Sequence, residues 1–355
     1  MTEMWNRYDR TAARSHGALG RTLRPAGPTI DIHAHAISPE AAAFVRPHMP
    51  APHLPHGRDT ASAKTRELGA KQGRDRASRL ATPAERLAEL DAMGIDIQVV
   101  MPAPGQCFHQ LAPDIAVPAA RMVNEGMASF AAHKPDRLIP FGTVPLQADD
   151  AGVAELEHCA AVLGFKGIQV LTNVAGAELS DPRFAAFWAA AERLGVLVVI
   201  HPAGYTQPER FRDFYFDNVI GNPLDTTVAL HYLIMDGVLA RHPELRLMAA
   251  HGGGFLPAYS GRIDHAWGAR SDAHGGLPEP PTTYLRRVYL DSVVFTPHQL
   301  GYLVQVFGVG KILMGTDYPF DMGEYDPIGH IAGAGLTPAD VAAICGGNAK
   351  ALLGL

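Results

Sequence analysis

The stretch TIDIHAHAIS, residues 29–38, decides the fold and places the first functional side chains. Apolar residues alternate with polar ones from Ile30 onward, and His33 and His35 follow two positions apart. Side chains two residues apart point to the same face of a β-strand. The spacing therefore predicts a strand whose two imidazoles converge on one point near its carboxyl end.

Further short β-branched runs alternate with helical patterns along the rest of the chain, an order that is typical of parallel βα units. The predicted strands are residues 30–35, 97–102, 138–144, 167–171, 196–201, 246–251, 288–291 and 312–317. The predicted helices are residues 83–93, 118–133, 149–163, 182–194, 223–241, 255–267, 297–307 and 338–345. Eight such units predict an α/β fold, a (β/α)8 TIM barrel.

Two segments fall outside this alternation. Residues 1–29 are predicted to be an N-terminal extension, and residues 30–355 to form the barrel domain. Residues 51–80 are rich in Lys, Arg and Gly, and we expect a long loop there, after the first strand and over the mouth of the barrel.

Composition narrows the class of partner. The 355-residue chain has a formal net charge of -6 and interleaved charges, so no broad basic surface for nucleic acid is expected. Its three cysteines are far apart and form no CxxC pair, which favours a reducing cytoplasm. No run approaches the ~18 apolar residues of a membrane span. We therefore expect a cytoplasmic protein with a small-molecule partner and no membrane association.

Polar side chains stand at the carboxyl ends of the predicted strands, where TIM barrels carry their active sites. These residues are His33, His35, His201, His251 and Asp317. Imidazole and carboxylate ligands suit one divalent transition metal ion, zinc above all and manganese as an alternative. We predict His33, His35, His201 and Asp317 as its ligands. The alternative, that each histidine only satisfies a buried hydrogen bond, explains the clustering at four strand ends less well.

Several motifs carry a resemblance to a known family. They are DIHAHAIS (31–38), GFKGIQV (164–170), IHPAG (200–204), NPLDTTVAL (222–230), HGGGFLPAYSGRIDHAW (251–267), YLDS (289–292) and GTDYPFDMGE (315–324). The chain resembles the metal-dependent amidohydrolase superfamily, in the branch related to aminocarboxymuconate semialdehyde decarboxylase. The resemblance implies the same four metal ligands, catalytic roles for His251 and Asp317, and no organic cofactor. Histidine changes charge near neutral pH, which suits His251 for an acid/base role.

The resemblance also implies arginines that bind a substrate carboxylate. Arg262, in the helix after HGGG, matches a family arginine that reaches into the neighbouring subunit's active site, which implies a homodimer. A guanidinium holds a carboxylate with two hydrogen bonds, so the role is chemically apt. The alternative is an ordinary surface arginine. For a second family arginine, Arg74, Arg76 and Arg79 compete, and we predict Arg76 and Arg79 as substrate contacts.

Three further positions have both a functional and a structural interpretation. Asp291, at the end of the seventh predicted strand, is a candidate for substrate binding, for orienting a metal ligand or His251, or for capping a turn. Phe216, next to Phe214 and Tyr215, is a candidate wall for an aromatic substrate, although aromatic clusters often only pack. Lys166 precedes its strand, at the wrong end of the barrel for a bridging metal ligand, so we expect it to be structural or exposed.

These observations predict a metal-dependent nonoxidative decarboxylase of an aromatic or muconate-semialdehyde-type carboxylic acid. The alternative is a metal-dependent hydrolase or hydratase that acts on a lactone, an ester or a C–C bond of an aromatic ring-cleavage product, since the same ligands serve both chemistries. A barrel that has lost catalysis is disfavoured because every ligand position and His251 are present.

Overall fold

Parallel strands form the centre of the structure, a computed structural model that describes residues 23–49, 61–205 and 210–355. In chain order the strands are β1 (Ile30–Ala36), β2 (Ile97–Pro102), β3 (Leu138–Pro140), β4 (Gly142–Thr143), β5 (Gly167–Leu171), β6 (Asn173–Val174), β7 (Ala177–Glu178), β8 (Leu197–His201), β9 (Arg246–Ala249), β10 (Tyr289–Asp291) and β11 (Ile312–Leu313). The strands predicted at 97–102 and 167–171 have these bounds, and the predicted third strand is divided at Phe141 into β3 and β4.

Two parallel sheets join to make the barrel wall. Their strand orders are β1-β2-β3 and β11-β10-β9-β8-β5-β4, and β6 and β7 form a separate antiparallel hairpin. At one junction the Phe141 amide donates to the Val100 carbonyl at 2.9 Å. At the other, the amides of β1 donate to the segment after β11: Ile32 to the Met314 carbonyl at 2.9 Å, and His35 to the Tyr318 carbonyl at 2.8 Å. These bonds place the two ends of the sheet order side by side.

Helices cover the outside of the strands. They are α1 (Pro39–Val45), α2 (Ala63–Asp75), α3 (Ala77–Ala81), α4 (Pro83–Met93), α5 (Pro113–Ala132), α6 (Asp150–Ala161), α7 (Ala185–Leu194), α8 (Asn222–Met235), α9 (Val238–Arg241), α10 (Ser260–Ala269), α11 (Pro281–Leu285), α12 (Pro297–Phe307), α13 (Pro327–Ala332), α14 (Pro338–Ala342) and α15 (Asn348–Leu353). The predictions at 83–93 and 297–307 match α4 and α12. No helix among the described residues is long and apolar enough to cross a membrane.

The predicted long loop at 51–80 is wrong for its second half, which forms α2 and α3. Ser62 caps α2 by accepting a hydrogen bond from the Thr65 amide. The sequence AKTRELGAKQGRD is rich in Ala, Lys, Arg, Glu and Gln, which favour helix, and this preference outweighs its two glycines. Residues 50–60 and 1–22 lie outside the described residues, so the loop and extension predicted there remain predictions.

An irregularity in β1 sets the direction of its histidines. Ile30 and Ile32 belong to an apolar cluster with side chains of β2, β8, β9 and β11, inside the barrel, whereas Ala34 and Ala36 belong to the core beneath the helices. Strict alternation would put all four on one face. The pairing of β1 with β2 shifts register between Asp31 and Ala34, and this shift exchanges the two faces. Side chains in the second half of β1 therefore point to the face opposite to the one that strict alternation would give.

The Asp31 carboxylate joins β1 to its two neighbours. It accepts hydrogen bonds from the His33 amide at 3.0 Å, the Gln98 side chain at 2.7 Å, and both the amide and the hydroxyl of Thr316, at 3.0 and 2.6 Å. Burial raises the pKa of Asp31 to about 6 despite these hydrogen bonds. Asp31 thus fixes β1 against β2 and against the segment that carries Asp317.

Gly346 gives a test of how closely the C-terminal segment packs on the start of β1. A methyl group at Gly346 would overlap the carbonyl oxygen of Pro28, which is backbone and cannot move aside. We expect Gly346→Ala to lower the free energy of unfolding by about 1–3 kcal/mol, measured by urea denaturation. Gly347→Ala is the matched control, because its nearest atom would be the Ala342 carbonyl oxygen at 3.5 Å. Equal stability of the two variants would contradict this packing.

Candidate metal centre

The structure brings the four predicted metal ligands together. His33 and His35 lie on β1, His201 is the last residue of β8, and Asp317 follows β11. All four are buried, and one ligand atom from each lies within 4.8 Å of the others. The carboxyl ends of three strands therefore supply a single cluster at one end of the barrel, as the sequence predicted.

The distances within the cluster are short. The Nε2 atoms of His33 and His35 are 3.1 Å apart, and Asp317 Oδ1 lies 3.4 Å from the first and 3.1 Å from the second. His201 Nε2 is 3.9 Å from the same oxygen and, among the described residues, has no hydrogen-bond partner. A buried nitrogen without a partner costs free energy unless something binds it. Three imidazoles and one carboxylate with this unpaired nitrogen fit a divalent metal ion.

The opposite nitrogen of each histidine ligand is held by an acceptor. The Nδ1 of His33 is 2.7 Å from Asp291 Oδ2, that of His35 is 3.1 Å from the Pro102 carbonyl, and that of His201 is 2.7 Å from the Pro202 carbonyl. A carbonyl or carboxylate acceptor places the ring proton on Nδ1. Each Nε2 therefore keeps its lone pair directed into the cluster, which is what a metal ion requires.

Burial and neighbouring charges shift the pKa values of the four ligands. Burial lowers the pKa of His35 and lowers that of His201 well below its usual range. Burial also opposes protonation of His33, but its hydrogen bond to Asp291 and the charges of Asp317 and Asp291 outweigh it, so its pKa is raised. The neighbouring imidazoles of His201, His251 and His35 overcome burial at Asp317 and hold its pKa well below the usual range.

His251 lies beside the ligand cluster and not in it. It begins the short 3-10 turn His251–Gly253 after β9, and its Nε2 is 3.5 Å from Asp317 Oδ2. Its backbone φ of 55° is uncommon for a residue with a side chain and turns the imidazole toward the pocket. The Asp291 carboxylate fixes this turn by accepting from the amides of His251 at 3.0 Å and Gly252 at 2.9 Å. His251 is thus placed where it can exchange a proton with a bound molecule.

A cavity of about 460 Å³ opens over the cluster. His201, His251 and Asp317 form part of its lining, and the walls include Arg76, Tyr215, Phe295, Phe320 and Asp321. The volume suits a small organic molecule, and aromatic walls favour a planar one.

Of the three competing arginines, only Arg76 lines this pocket. Its Nη1 is 3.0 Å from Asp321 Oδ1. Arg79 instead pairs with Glu89 at 3.1 Å, and Arg74 is exposed outside the pocket lining. Arg79 is not part of the pocket lining, and its role as a substrate contact stays a prediction.

Phe216 and Asp291, two other residues predicted to contact the substrate, lie outside the pocket lining. Phe216 packs against Phe211, with ring centres 4.9 Å apart, while its neighbour Tyr215 lines the pocket. Asp291 is fully buried, and His33 and backbone amides occupy its carboxylate. Neither Phe216 nor Asp291 is part of the pocket lining, so the structure places Asp291 as an orienting residue behind the metal ligands.

Arg262 and Lys166 lie away from the pocket of their own chain. Arg262 is exposed on α10 and is not part of the lining, so its role toward a second subunit stays a prediction. Lys166 is exposed just before β5, as expected for a residue at the opposite end of the strand.

The pocket residues that sequence reasoning missed include Phe295, Gln299, Phe320 and Asp321. Phe320 and Asp321 stand in the GTDYPFDMGE motif, close to the ligand Asp317, and this proximity was the available signal. Phe295 and Gln299 lie beyond β10 without such a signal, because a loop's course over the barrel mouth depends on tertiary packing.

Comparison with known proteins agrees with this geometry. A family model described as amidohydrolase matches residues 30–355. The chain belongs to the amidohydrolase family. This amidohydrolase is 35% identical over 246 residues to the 2-amino-3-carboxymuconate-6-semialdehyde decarboxylase of Dictyostelium discoideum, with 69% of this chain and 68% of the relative covered.

Solved structures share the amidohydrolase's fold. The 5-carboxyvanillate decarboxylase of Sphingomonas paucimobilis superposes with a TM-score of 0.82 at 23% identity, covering 92% of this chain and 99% of that chain. A dihydroxybenzoic acid decarboxylase from Polaromonas sp. JS666, solved with bound manganese and 2-nitroresorcinol, gives a TM-score of 0.78 at 21% identity, covering 93% and 97%. These similarities confirm the expected amidohydrolase-like barrel fold.

Asp291 provides a test of the metal centre that leaves the ligands unchanged. Asp291→Asn removes the charged acceptor of the His33 Nδ1 proton, so the imidazole loses its fixed orientation. We expect metal affinity to fall about 10–100-fold, measured by competition with a chromophoric chelator. Circular dichroism at the same temperature checks that the variant remains folded. Unchanged affinity in a folded variant would show that Asp291 does not orient this ligand.

Proposed function

We propose that this amidohydrolase is a metal-dependent nonoxidative decarboxylase of an aromatic or muconate-semialdehyde-type carboxylic acid. The observation that carries the proposal is His251, an imidazole outside the ligand cluster that faces the pocket 3.5 Å from Asp317. Such a group can deliver a proton to a carbon atom of a bound acid. The relative with 35% identity, which is named a decarboxylase, supports the same reaction class.

His33, His35, His201 and Asp317 would hold the metal ion, and their donor set favours zinc, with manganese as the alternative. When bound, a divalent ion supplies Lewis-acid binding of the substrate's oxygen atoms. The rest of the chemistry depends on side chains of the pocket.

His251 is the proton donor in this mechanism. Its imidazolium transfers a proton to the carbon that bears the departing carboxylate, and Asp317 Oδ2, at 3.5 Å, stabilises the charged imidazole before the transfer. The C–C bond then breaks, its electron pair restores the conjugation of the substrate, and carbon dioxide leaves. The product carries the proton where the carboxylate was, so atoms and charges balance.

The walls of the pocket orient the substrate for this transfer. Tyr215, Phe295 and Phe320 supply flat apolar contacts that exclude water from the reacting carbon. Arg76 lines the same pocket, where it is paired with Asp321. A planar acid bound between the aromatic rings has its reacting carbon held toward the end of the barrel where His251 lies.

The finer parts of the proposal concern assembly and location. We propose a homodimer in which Arg262 lies near the neighbouring active site, supported by the exposure of Arg262 and of Tyr259, whose side chain is 71% exposed on the adjoining turn. A cytoplasmic location is supported by the three cysteines, all of which are buried free thiols.

Mass spectrometry of substrate panels tests the reaction. We expect the metal-loaded protein to convert a hydroxybenzoate or a carboxymuconate semialdehyde to a product about 44 mass units lighter, with chelation abolishing turnover. The control is His251→Asn, which should retain bound metal and lose at least about 100-fold in kcat. A product about 18 mass units heavier would identify a hydrolase or hydratase and overturn the proposal.

Light scattering tests the assembly. We expect a dimer, and Arg262→Ala should raise KM at least about tenfold because a charge-assisted contact to the substrate is lost. Arg270→Ala is the control, because Arg270 is exposed just after α10 and pairs with nearby Asp272. An active monomer would exclude a role for Arg262 in a neighbouring subunit.

A further inference from the structure

The ion pair between Arg76 and Asp321 lines the pocket, and we call this part of the pocket the far end. Arg76 Nη1 donates to Asp321 Oδ1 at 3.0 Å, and the Tyr215 hydroxyl lies 3.4 Å from the same oxygen. The side chains of Arg76 and Asp321 are only 13% and 16% exposed. Water therefore screens this pair weakly, and the fixed carboxylate offsets most of the positive charge that Arg76 would otherwise present to a ligand.

The pair is placed within reach of a substrate bound at the metal site. The Arg76 guanidinium carbon lies 5.3 Å from the centre of the Phe320 ring, and that ring lies 5.0 Å from the ring of the metal ligand His35. Arg76 is further fixed by the bond from its Nε to the Gln72 carbonyl at 2.9 Å. A substituted benzoate can therefore contact both ends of the pocket at once.

The charges around the pocket disfavour a second carboxylate on the substrate. Among the described residues that line it, the ionic side chains are Arg76, Asp217, Asp317 and Asp321, one cation against three carboxylates. Arg76, the cation among these described residues, is already paired with Asp321. A substrate carboxylate at the far end would lie close to Asp321, and like charges at such distances repel.

A hydroxyl group meets no such repulsion at the far end. It can accept a hydrogen bond from Arg76 and donate one to Asp321, so that both members of the pair keep a partner. We propose that Asp321 is a specificity-determining residue, an inference that rests on the proposed function and concerns the same site. It restricts the far end of the pocket to a neutral hydroxyl and selects hydroxyaromatic acids with one carboxylate over dicarboxylates.

Calorimetric binding to the metal-loaded protein tests this selectivity without requiring turnover. The two ligands are 2,4-dihydroxybenzoate and 2-hydroxyterephthalate, which differ only in a hydroxyl or a carboxylate at ring position 4. We expect the dihydroxybenzoate to bind at least about tenfold more tightly, because the second carboxylate meets Asp321. Asp321→Asn, which keeps the shape and removes the charge, should reduce this ratio at least about fivefold.

The controls separate this charge from other effects. Asp272→Asn removes the same charge from an exposed ion pair with Arg270, where both side chains are 67% exposed, and should leave the ratio unchanged. Repeating the comparison in an Arg262→Ala background removes any cation that a second copy supplies. If Asp321→Asn does not fold, Asp321→Ser is used in its place.

The outcomes distinguish this inference from the proposed reaction. Tighter binding of the dicarboxylate by the unaltered protein, no measurable binding of the dihydroxybenzoate, or an unchanged ratio in the folded Asp321 variant would each overturn the role of Asp321. Selective binding of the dihydroxybenzoate, with no loss of carbon dioxide from any acid in the panel, would overturn the decarboxylase proposal and leave the recognition by Asp321 supported.

Discussion

The fully buried carboxylate of Asp31 is the constraint on which the metal centre depends. It accepts four hydrogen bonds, from His33, Gln98 and Thr316, and these donors belong to β1, β2 and the segment after β11. A buried carboxylate without these partners would be strongly unfavourable. Satisfying it therefore requires the first and last strands of the barrel to lie side by side, and that same arrangement places Asp317 opposite the two histidines of β1.

The cluster is stabilised by electrostatic attraction between the Asp317 carboxylate and the imidazoles around it. Asp317 lies within 4 Å of a ring nitrogen of His33, His35, His201 and His251, and its charge partly offsets the burial of the imidazoles. Within the cluster, His201 Nε2 finds no hydrogen-bond partner among the described residues. Low pKa values at His35 and His201 keep both imidazoles neutral, which is the form that binds a metal ion. Burial thus keeps these two ligands in the neutral form that binds a metal ion.

The ligands could be predicted from the sequence because they stand at strand ends, where a period of two residues puts His33 and His35 on one face and the barrel fixes their position. The register shift in β1 that sets the direction of this face could not be predicted. The residues that line the rest of the pocket could be predicted only in part. Arg76 and Arg79 have the same chemistry and are three residues apart, yet one faces the pocket and the other pairs with Glu89, a choice made by the helical course of residues 63–81. Phe216 and Tyr215 differ in the same way, because a left-handed φ of 59° at Tyr215 turns the loop there.

The metal ligands and the rest of the pocket are built from different parts of the structure. The ligands of the metal centre belong to strands or lie just beyond them, and hydrogen bonds to Asp31 and Asp291 fix their surroundings. The far end is made by loop residues, and left-handed φ values at Tyr215 and Phe295 fix their side chains toward the pocket. Phe320 connects the two ends, since its ring contacts both His35 and Arg76. A change in the loops can therefore alter which acid is bound while the metal ligands and His251 keep their positions.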